Sequence, residues 1–342
     1  MALAKVFGSK ITGIVSVVAP IISDNLKTSL IPVPSREALV QHTGIRFRRN
    51  SEVTSQTKDY FSFAVSALLE KLNWDISTID VFICVTQTPQ VSIPSISCQL
   101  HGELAMSTNT LCYDINSGCS GFVYGLHTVN SLLSTIDKPL KRAVLCCGDL
   151  SSTITRSDDL TVLPIFSDAV SAIAIEVDNN STETTGYFHL QTAGAGQDAI
   201  ALKSHSDGKS YMTLNGIDVF NYSVSMVPKN ITTLLEFAKK PFDFPDYYFL
   251  HQANKLINDS ICKKISIPAD KAPSSLYHFG NTASASIPVT INDSWGQGIK
   301  TTKWIVLSGF GVGFSVASCL IYFDPKLCEK PLIYPSNLLR NE

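Results

Sequence analysis

The sequence predicts a layered α/β protein built from two similar halves, and three observations carry that prediction. Short apolar runs rich in β-formers alternate with longer stretches of helical period. After Cys119, the residues Phe122, Leu126, Val129, Leu133 and Ile136 recur three or four apart, which marks one buried stripe of an amphipathic helix. Finally, two segments echo each other. Residues 143–177 run strand, loop, then a small-residue strand (FSDAVSAIAIEV), and residues 304–323 run strand, glycine-rich turn, then a small-residue strand (GFGVGFSVASCLIYF).

In chain order, the predicted strands are residues 81–85, 111–115, 143–147, 171–177, 247–250, 304–307 and 316–323. Each is short, apolar and flanked by polar or turn-forming residues, as buried strands of an α/β fold are. The segment VDNNSTETTG reads as a turn or loop, so the boundary between halves is expected near residue 178, giving halves 1–177 and 178–342.

Composition excludes several classes. A chain of 342 residues with 44% hydrophobic and 16% charged content is too apolar for disorder and long enough for one large core or two half-sized ones. A net charge of −2, from 27 basic and 29 acidic residues, supplies no bulk attraction to nucleic acid or to a membrane surface. No run reaches the roughly 18 apolar residues of a spanning helix, and MALAKVFGSKITGIV lacks the order of a signal peptide. The nine cysteines are too sparse for a disulfide scaffold, and no C-x-x-C occurs. A reduced, cytoplasmic setting without metal or cofactor is expected.

Four motifs carry chemistry. Cys119 lies in NSGCSGF, between a predicted strand and the amphipathic helix. Most cysteines are small buried hydrophobes. Gly118 and Gly121 here allow a tight strand-to-helix turn that presents a nucleophile at a helix tip. The positive end of the helix dipole would favour its thiolate. His251 follows the strand YYFL. An isolated histidine there is more often a strand-end cap, but the carboxyl edge of a sheet is where α/β proteins place function. Asn281, in HFGNTASAS, reads equally as a helix N-cap. Gly309-Phe310-Gly311-Val312-Gly313 is followed by a strand, so it is no dinucleotide fingerprint. Its backbone N–H groups could face an oxyanion.

In order and together, NSGCSGF, LHQAN, FGNTASAS and GFGVGF resemble β-ketoacyl-acyl-carrier-protein synthase III of the thiolase superfamily. The resemblance covers nearly the whole chain, including TGIR at 43–46 and IPSISCQ at 93–99. It implies a five-layer αβαβα fold of two pseudo-equivalent halves, usually a homodimer. It also implies a Cys-His-Asn set at Cys119, His251 and Asn281. Cys119 would take the acyl group of a CoA or carrier thioester, with the backbone N–H groups of Cys119 and Val312 as oxyanion hole. His251 and Asn281 would then stabilise the enolate formed when a malonyl thioester on acyl carrier protein loses carbon dioxide. Gly216, Ala253, Asn254, Phe310 and Ile93 would contact substrate. Lys255, Lys263 and Lys264 would dock the acidic carrier protein.

The chain departs from the family pattern at several places. Ala38 and Leu160 stand near positions where an aromatic ring and an arginine commonly sandwich adenine. Leu256 replaces a docking arginine. Ile93 replaces a phenylalanine that commonly closes the acyl pocket from the partner subunit. These changes leave a second reading, transfer of the Cys119-bound acyl group to a hydroxyl or amine acceptor with His251 as base. A hydroxymethylglutaryl-type synthase would need a glutamate on the early loop, and residues 85–90 (VTQTPQ) have none. The full Cys-His-Asn set argues against a non-catalytic subunit.

Overall fold

In the computed structural model, which describes residues 2–178, 181, 183–297 and 303–336, every apolar run singled out in the sequence lies in a strand. The first half contributes β1 (Ala2–Phe7), β2 (Ser9–Val18), β3 (Ile21–Asp24), α1 (Val33–Thr43), β4 (Phe47–Asn50), α2 (Thr57–Leu72), β5 (Val81–Val85), α3 (Ile96–Glu103), β6 (Leu111–Ile115), α4 (Gly121–Thr135), β7 (Leu140–Asp149) and β8 (Ala169–Asp178). The second contributes β9 (Thr184–Thr192), β10 (Ile200–Ser204), β11 (Ser210–Leu214), α5 (Gly216–Ala238), β12 (Tyr247–Leu250), α6 (Lys255–Lys264), α7 (Leu276–Phe279), α8 (Ser286–Gly296), β13 (Lys303–Gly311), β14 (Ser315–Phe323), β15 (Leu327–Cys328) and β16 (Leu332–Ile333).

Two sheets result. One has the order β15-β2-β8-β7-β5-β6, with β16 also paired to β2; the other has the order β1-β9-β14-β13-β12. The echo in the sequence is an echo in topology. Antiparallel β2-β8-β7 continues into parallel β5, and antiparallel β9-β14-β13 continues into parallel β12. The edges are exchanged. β1 pairs with β9 in the second sheet, while β15 and β16 return to β2 in the first. The boundary expected near residue 178 falls at the last residue of β8, just before the connection to β9, in which residues 179, 180 and 182 lie outside the described residues.

The strands are apolar on both faces because both faces are covered. On β7, Ala143, Leu145 and Cys147 face the layer between the sheets, and Val144 and Cys146 face the outer layer. On β13, Ile305 and Leu307 face inward and Val306 outward. Helices α4 and α8 fill the middle, α2 and α3 cover the first sheet, and α5 covers the second, which gives five layers. The predicted stripe of α4 does the expected packing, with Phe122, Leu126, Val129 and Leu133 all in the middle core. At the far end of α4, the buried Lys141 donates from Nζ to the Leu133 carbonyl at 2.6 Å. That places a cation at the negative end of the helix dipole.

Leu307 is fully buried between the sheets, whereas Val53 is fully exposed. Leu307→Ala is expected to lower the unfolding free energy by about 2–5 kcal/mol and Val53→Ala by no more than about 0.5 kcal/mol, both read from urea denaturation. Equal costs would contradict this placement of the core.

Candidate functional site

Three loops converge on Cys119. Its own turn leaves β6, closes through the Gly121 N–H to the Gly118 carbonyl at 2.7 Å, and enters α4. The β13–β14 hairpin lies directly on this turn. A Cβ at Gly309 would stand 2.8 Å from Ser120 Cα and 2.9 Å from the Cys119 carbonyl oxygen, and one at Gly311 (φ +151°) would stand 3.1 Å from Cys119 Sγ. Glycine is required at both, by close approach at the first and also by backbone conformation at the second. Ser120 Oγ and Ser315 Oγ, 2.6 Å apart, tie turn and hairpin together.

His251 is one residue beyond β12, whose parallel register beside β13 ends at Leu250 opposite Ser308. Its backbone N–H donates to the Ser308 carbonyl at 2.8 Å. Its ring meets Phe310 edge-on at 5.3 Å between centroids, and Nδ1 lies 2.7 Å from Ser286 Oγ. Asn281 follows α7 and is bridged to Phe166: its N–H donates to the Ile165 carbonyl, and its carbonyl accepts from the Ser167 N–H. Asn281 Oδ1 accepts from the Ala283 N–H at 2.9 Å. Among the described residues, Asn281 Nδ2 has no hydrogen-bond partner.

A narrow cavity of about 40 Å³ is lined by Cys119, His251, Asn281 and Phe310, and also by Gly216, Ala253 and Asn254. A second, of about 130 Å³, also reaches Cys119 and is lined by Val312, Gln87, Asp149, Ile154 and Met212. The structure thus gathers most of the residues singled out in the sequence. Ile93 is not among them; it is exposed and lines neither cavity of its own chain. Lys255 and Lys263 border a separate groove of about 880 Å³ that α1, α6 and α7 help to line. Lys255 is paired with Asp259, Lys264 donates to the Val224 carbonyl at 3.1 Å, and Leu256 is exposed.

The electrostatics differ from the sequence expectation of a helix-end thiolate. Burial pushes the Cys119 thiol up to about 12, the Asp149 carboxyl adds to that, and the backbone N–H groups of Cys119 and Val312 pull the other way. A dipole contribution of about 0.3–2 kcal/mol is smaller than the roughly 4 kcal/mol that three pH units represent, so dryness wins. Burial likewise holds His251 down to about 3, opposed by a hydrogen bond with the Ala283 backbone. Cysteine and histidine are therefore both neutral near pH 7. The two N–H groups that reach the sulfur are those an oxyanion formed there would meet.

Two polar residues of the site escaped the sequence reading. Asp149 ends β7 at the sheet's carboxyl edge, a position whose significance was legible. Its Oδ1 accepts from the Gln87 N–H at 2.6 Å and from Thr86 Oγ1 at 2.9 Å, and Oδ2 accepts from Ser284 Oγ at 3.3 Å. Ser286 lies at the end of HFGNTASAS, but nothing in that motif tells which serine meets the histidine.

Comparisons with known proteins place the chain as a whole. Residues 113–194 match the family described as 3-oxoacyl-[acyl-carrier-protein] synthase III, and residues 240–323 match its C-terminal counterpart. The chain is 31% identical to β-ketoacyl-[acyl-carrier-protein] synthase III 2 of Staphylococcus epidermidis, over 92% of this chain and 98% of that one. It is 32% identical to β-ketoacyl-[acyl-carrier-protein] synthase III of Prochlorococcus marinus, over 84% of this chain and 88% of that one. The crystal structure of a 3-oxoacyl-(acyl-carrier protein) synthase from Burkholderia xenovorans superposes with a TM-score of 0.90 at 27% identity, covering 97% of this chain and 99% of that one.

The depressed His251 pKa has a consequence for stability. Between about pH 6.5 and 3 the unfolded chain binds a proton at His251 that the folded chain refuses, so folding stability falls as pH drops through that window. The slope is at most about 1.4 kcal/mol per pH unit. His251→Asn is expected to flatten the acid limb of the stability–pH curve, measured by urea denaturation between pH 4 and 6. An unchanged slope would show that the ring is not held neutral.

Proposed function

This chain belongs to the β-ketoacyl-[acyl-carrier-protein] synthase III family of condensing enzymes, and we propose that it carries out that chemistry through Cys119, His251 and Asn281. One observation supports the reading above all: these three side chains, from separate parts of the chain, line a single small buried cavity.

In the proposed reaction, Cys119 sulfur attacks the carbonyl carbon of an acyl thioester. The tetrahedral oxyanion sits against the N–H groups of Cys119 and Val312. The carbon–sulfur bond to the donor breaks, and the proton of the Cys119 thiol leaves with the departing thiol. The acyl chain lies in the 130 Å³ cavity, which Cys119 lines and His251 and Asn281 do not. A malonyl thioester carried by acyl carrier protein then enters the narrower cavity and loses carbon dioxide. The enolate oxygen accepts hydrogen bonds from the His251 ring and from Asn281 Nδ2. Its carbon attacks the acyl carbonyl, the bond to Cys119 breaks, and the sulfur takes up a proton. The product is a β-ketoacyl thioester on the carrier.

Acyl transfer to a hydroxyl or amine is the weaker reading. It asks His251 to remove a proton near pH 7, and a ring held at about 3 is a poor base there. The proposed carrier-docking cations Lys255, Lys263 and Lys264 are exposed on α6; Lys263 and Lys264 match the family's positions, and Lys255 stands one place before Leu256, where the family's arginine is expected. The homodimer reading is supported by β6, an edge strand of its sheet with Leu111 and Tyr113 exposed. No helix among the described residues is long and apolar enough to cross a membrane. Nine free cysteines fit a reduced, cytoplasmic setting.

Cys119→Ala is expected to abolish the acyl adduct seen by intact mass. His251→Ala and Asn281→Ala are expected to keep the adduct and to lower carbon dioxide release from malonyl-carrier by a hundredfold or more. Release at the wild-type rate from either variant would refute the assigned roles. The second cavity approaches the roughly 150 Å³ of an engineered site that binds benzene. Adduct formation is therefore expected to fall off for acyl groups longer than about six heavy atoms; equal labelling by dodecanoyl and butanoyl thioesters would contradict that.

A further inference from the structure

We propose that Ser286 is a positioning residue, whose hydroxyl donates to Nδ1 of His251 and so holds the neutral imidazole in the tautomer with its proton on Nε2. The assignment rests on the reaction assigned above, because only that reaction needs a ring N–H pointed at an enolate.

The argument is a count of protons. Ser286 is the first residue of α8 and is buried, as are His251 and Gln252. Its Oγ has two polar neighbours, His251 Nδ1 at 2.7 Å and the Gln252 backbone nitrogen at 3.3 Å. The Gln252 N–H can only donate, so Oγ accepts from it. A proton on Nδ1 would also have to be donated to Oγ, and the hydroxyl's own proton would then have no acceptor in a buried site, an unfavourable arrangement. With Nδ1 bare, each donor has one acceptor: Gln252 N–H to Ser286 Oγ, and Ser286 O–H to His251 Nδ1. The proton of the neutral ring is then on Nε2, since the hydrogen bond at one ring nitrogen decides which tautomer the other presents.

The surroundings keep this arrangement from relaxing. The backbone on either side of the ring is fixed by the His251 N–H to Ser308 and by Gln252 Nε2 to the Leu250 carbonyl at 2.8 Å. Gln252 Oε1 in turn accepts from Ser274 Oγ at 2.8 Å and from the Ser275 N–H at 3.2 Å. Phe310 packs edge-on against the imidazole. The ring therefore stays where Ser286 addresses it. Its other partner is the Ala283 backbone, whose hydrogen bond favours a proton on the ring; with Nδ1 taken by Ser286, that proton is the one on Nε2, at the cavity shared with Cys119 and Asn281.

Nitrogen-15 NMR of the histidine-labelled full chain tests this, with the His251 signals identified by their loss in His251→Asn. The wild type is expected to show Nδ1 unprotonated and Nε2 protonated. Ser286→Ala is expected to show mixed or reversed tautomers, a tenfold or greater loss of carbon dioxide release, and Cys119 acylation within about twofold of wild type. Ser286→Thr, which keeps the hydroxyl, should restore the wild-type tautomer and most of the release. A proton on Nδ1 in the wild type would overturn the proposal even if no variant folds, and so would Ser286→Ala with unchanged tautomer and release. The tautomer is read without substrate, so a wild type that forms no Cys119 adduct counts against the proposed reaction and not against this assignment.

Discussion

The two halves of the chain meet backbone to backbone at Cys119, and the rest of the site is set by that contact. Gly309 leaves no room for a side chain between β13 and the turn at Cys119 and Ser120. This seats a strand of the second sheet on the N-terminal tip of a helix that follows the first. Once β13 is seated, the rest follows by register. Val312 lies just past its end, with its N–H at the sulfur. β12 runs parallel alongside and stops one residue short of His251. Asn281 arrives separately, bridged to Phe166 in the connection between β7 and β8, so both halves hold it. A shift of one residue in β13 would move the Val312 N–H off the sulfur and displace the histidine together.

The same close packing makes the site dry, and dryness sets its charge state. A thiol and an imidazole in water would sit within reach of an ion pair; here burial moves one up and the other down until both are neutral. Asp149 is the other buried ionisable group at Cys119, and burial raises its pKa as well. It is retained because its oxygens are occupied: the loop after β5 reaches it through Thr86, Gln87 and Thr88, and the loop before α8 through Ser284. It therefore ties together loops that flank Cys119 and Asn281, at the expense of opposing the thiolate. A buried carboxylate without those partners would be far less favourable.

Much of this was legible in the sequence because the signals are local. A two-sided strand such as 81–85 is a continuous apolar run wherever it occurs, and the stripe after Cys119 has only one helical reading. The order of Cys119, His251 and Asn281 was likewise visible in short motifs. What was not legible is what depends on partners distant in sequence. Nothing in residues 2–7 says that this strand joins the second sheet, or in 327–333 that the chain returns to the first; edge strands take their partner from tertiary context. The hairpin of β10 and β11, which lines the larger cavity through Ile200 and Met212, gave no strong pattern because much of it is exposed. The thiol's pKa was misjudged for the same reason: a helix tip is a local feature, while burial to 4% exposure is contributed by another half of the chain.

The hydrogen bond at Nδ1 also bears on how the two steps of the proposed reaction share one cavity. A base needs a lone pair at the reacting nitrogen, and a donor needs a proton there; one tautomer cannot offer both. With Ser286 at Nδ1, His251 presents a donor throughout, and burial keeps the ring from gaining the second proton that would make it an acid. Cys119 then finds no base in His251 in the resting site. Its proton must leave during acylation with the departing thiol, whose own sulfur becomes basic as its bond to the acyl carbon breaks. The arrangement gives up fast thiolate formation and gains an N–H whose orientation does not depend on pH across the neutral range. Enolate formation develops its charge at a single oxygen, so a fixed pair of donors at His251 and Asn281 acts on the step where charge appears, while thioester exchange begins and ends with neutral species.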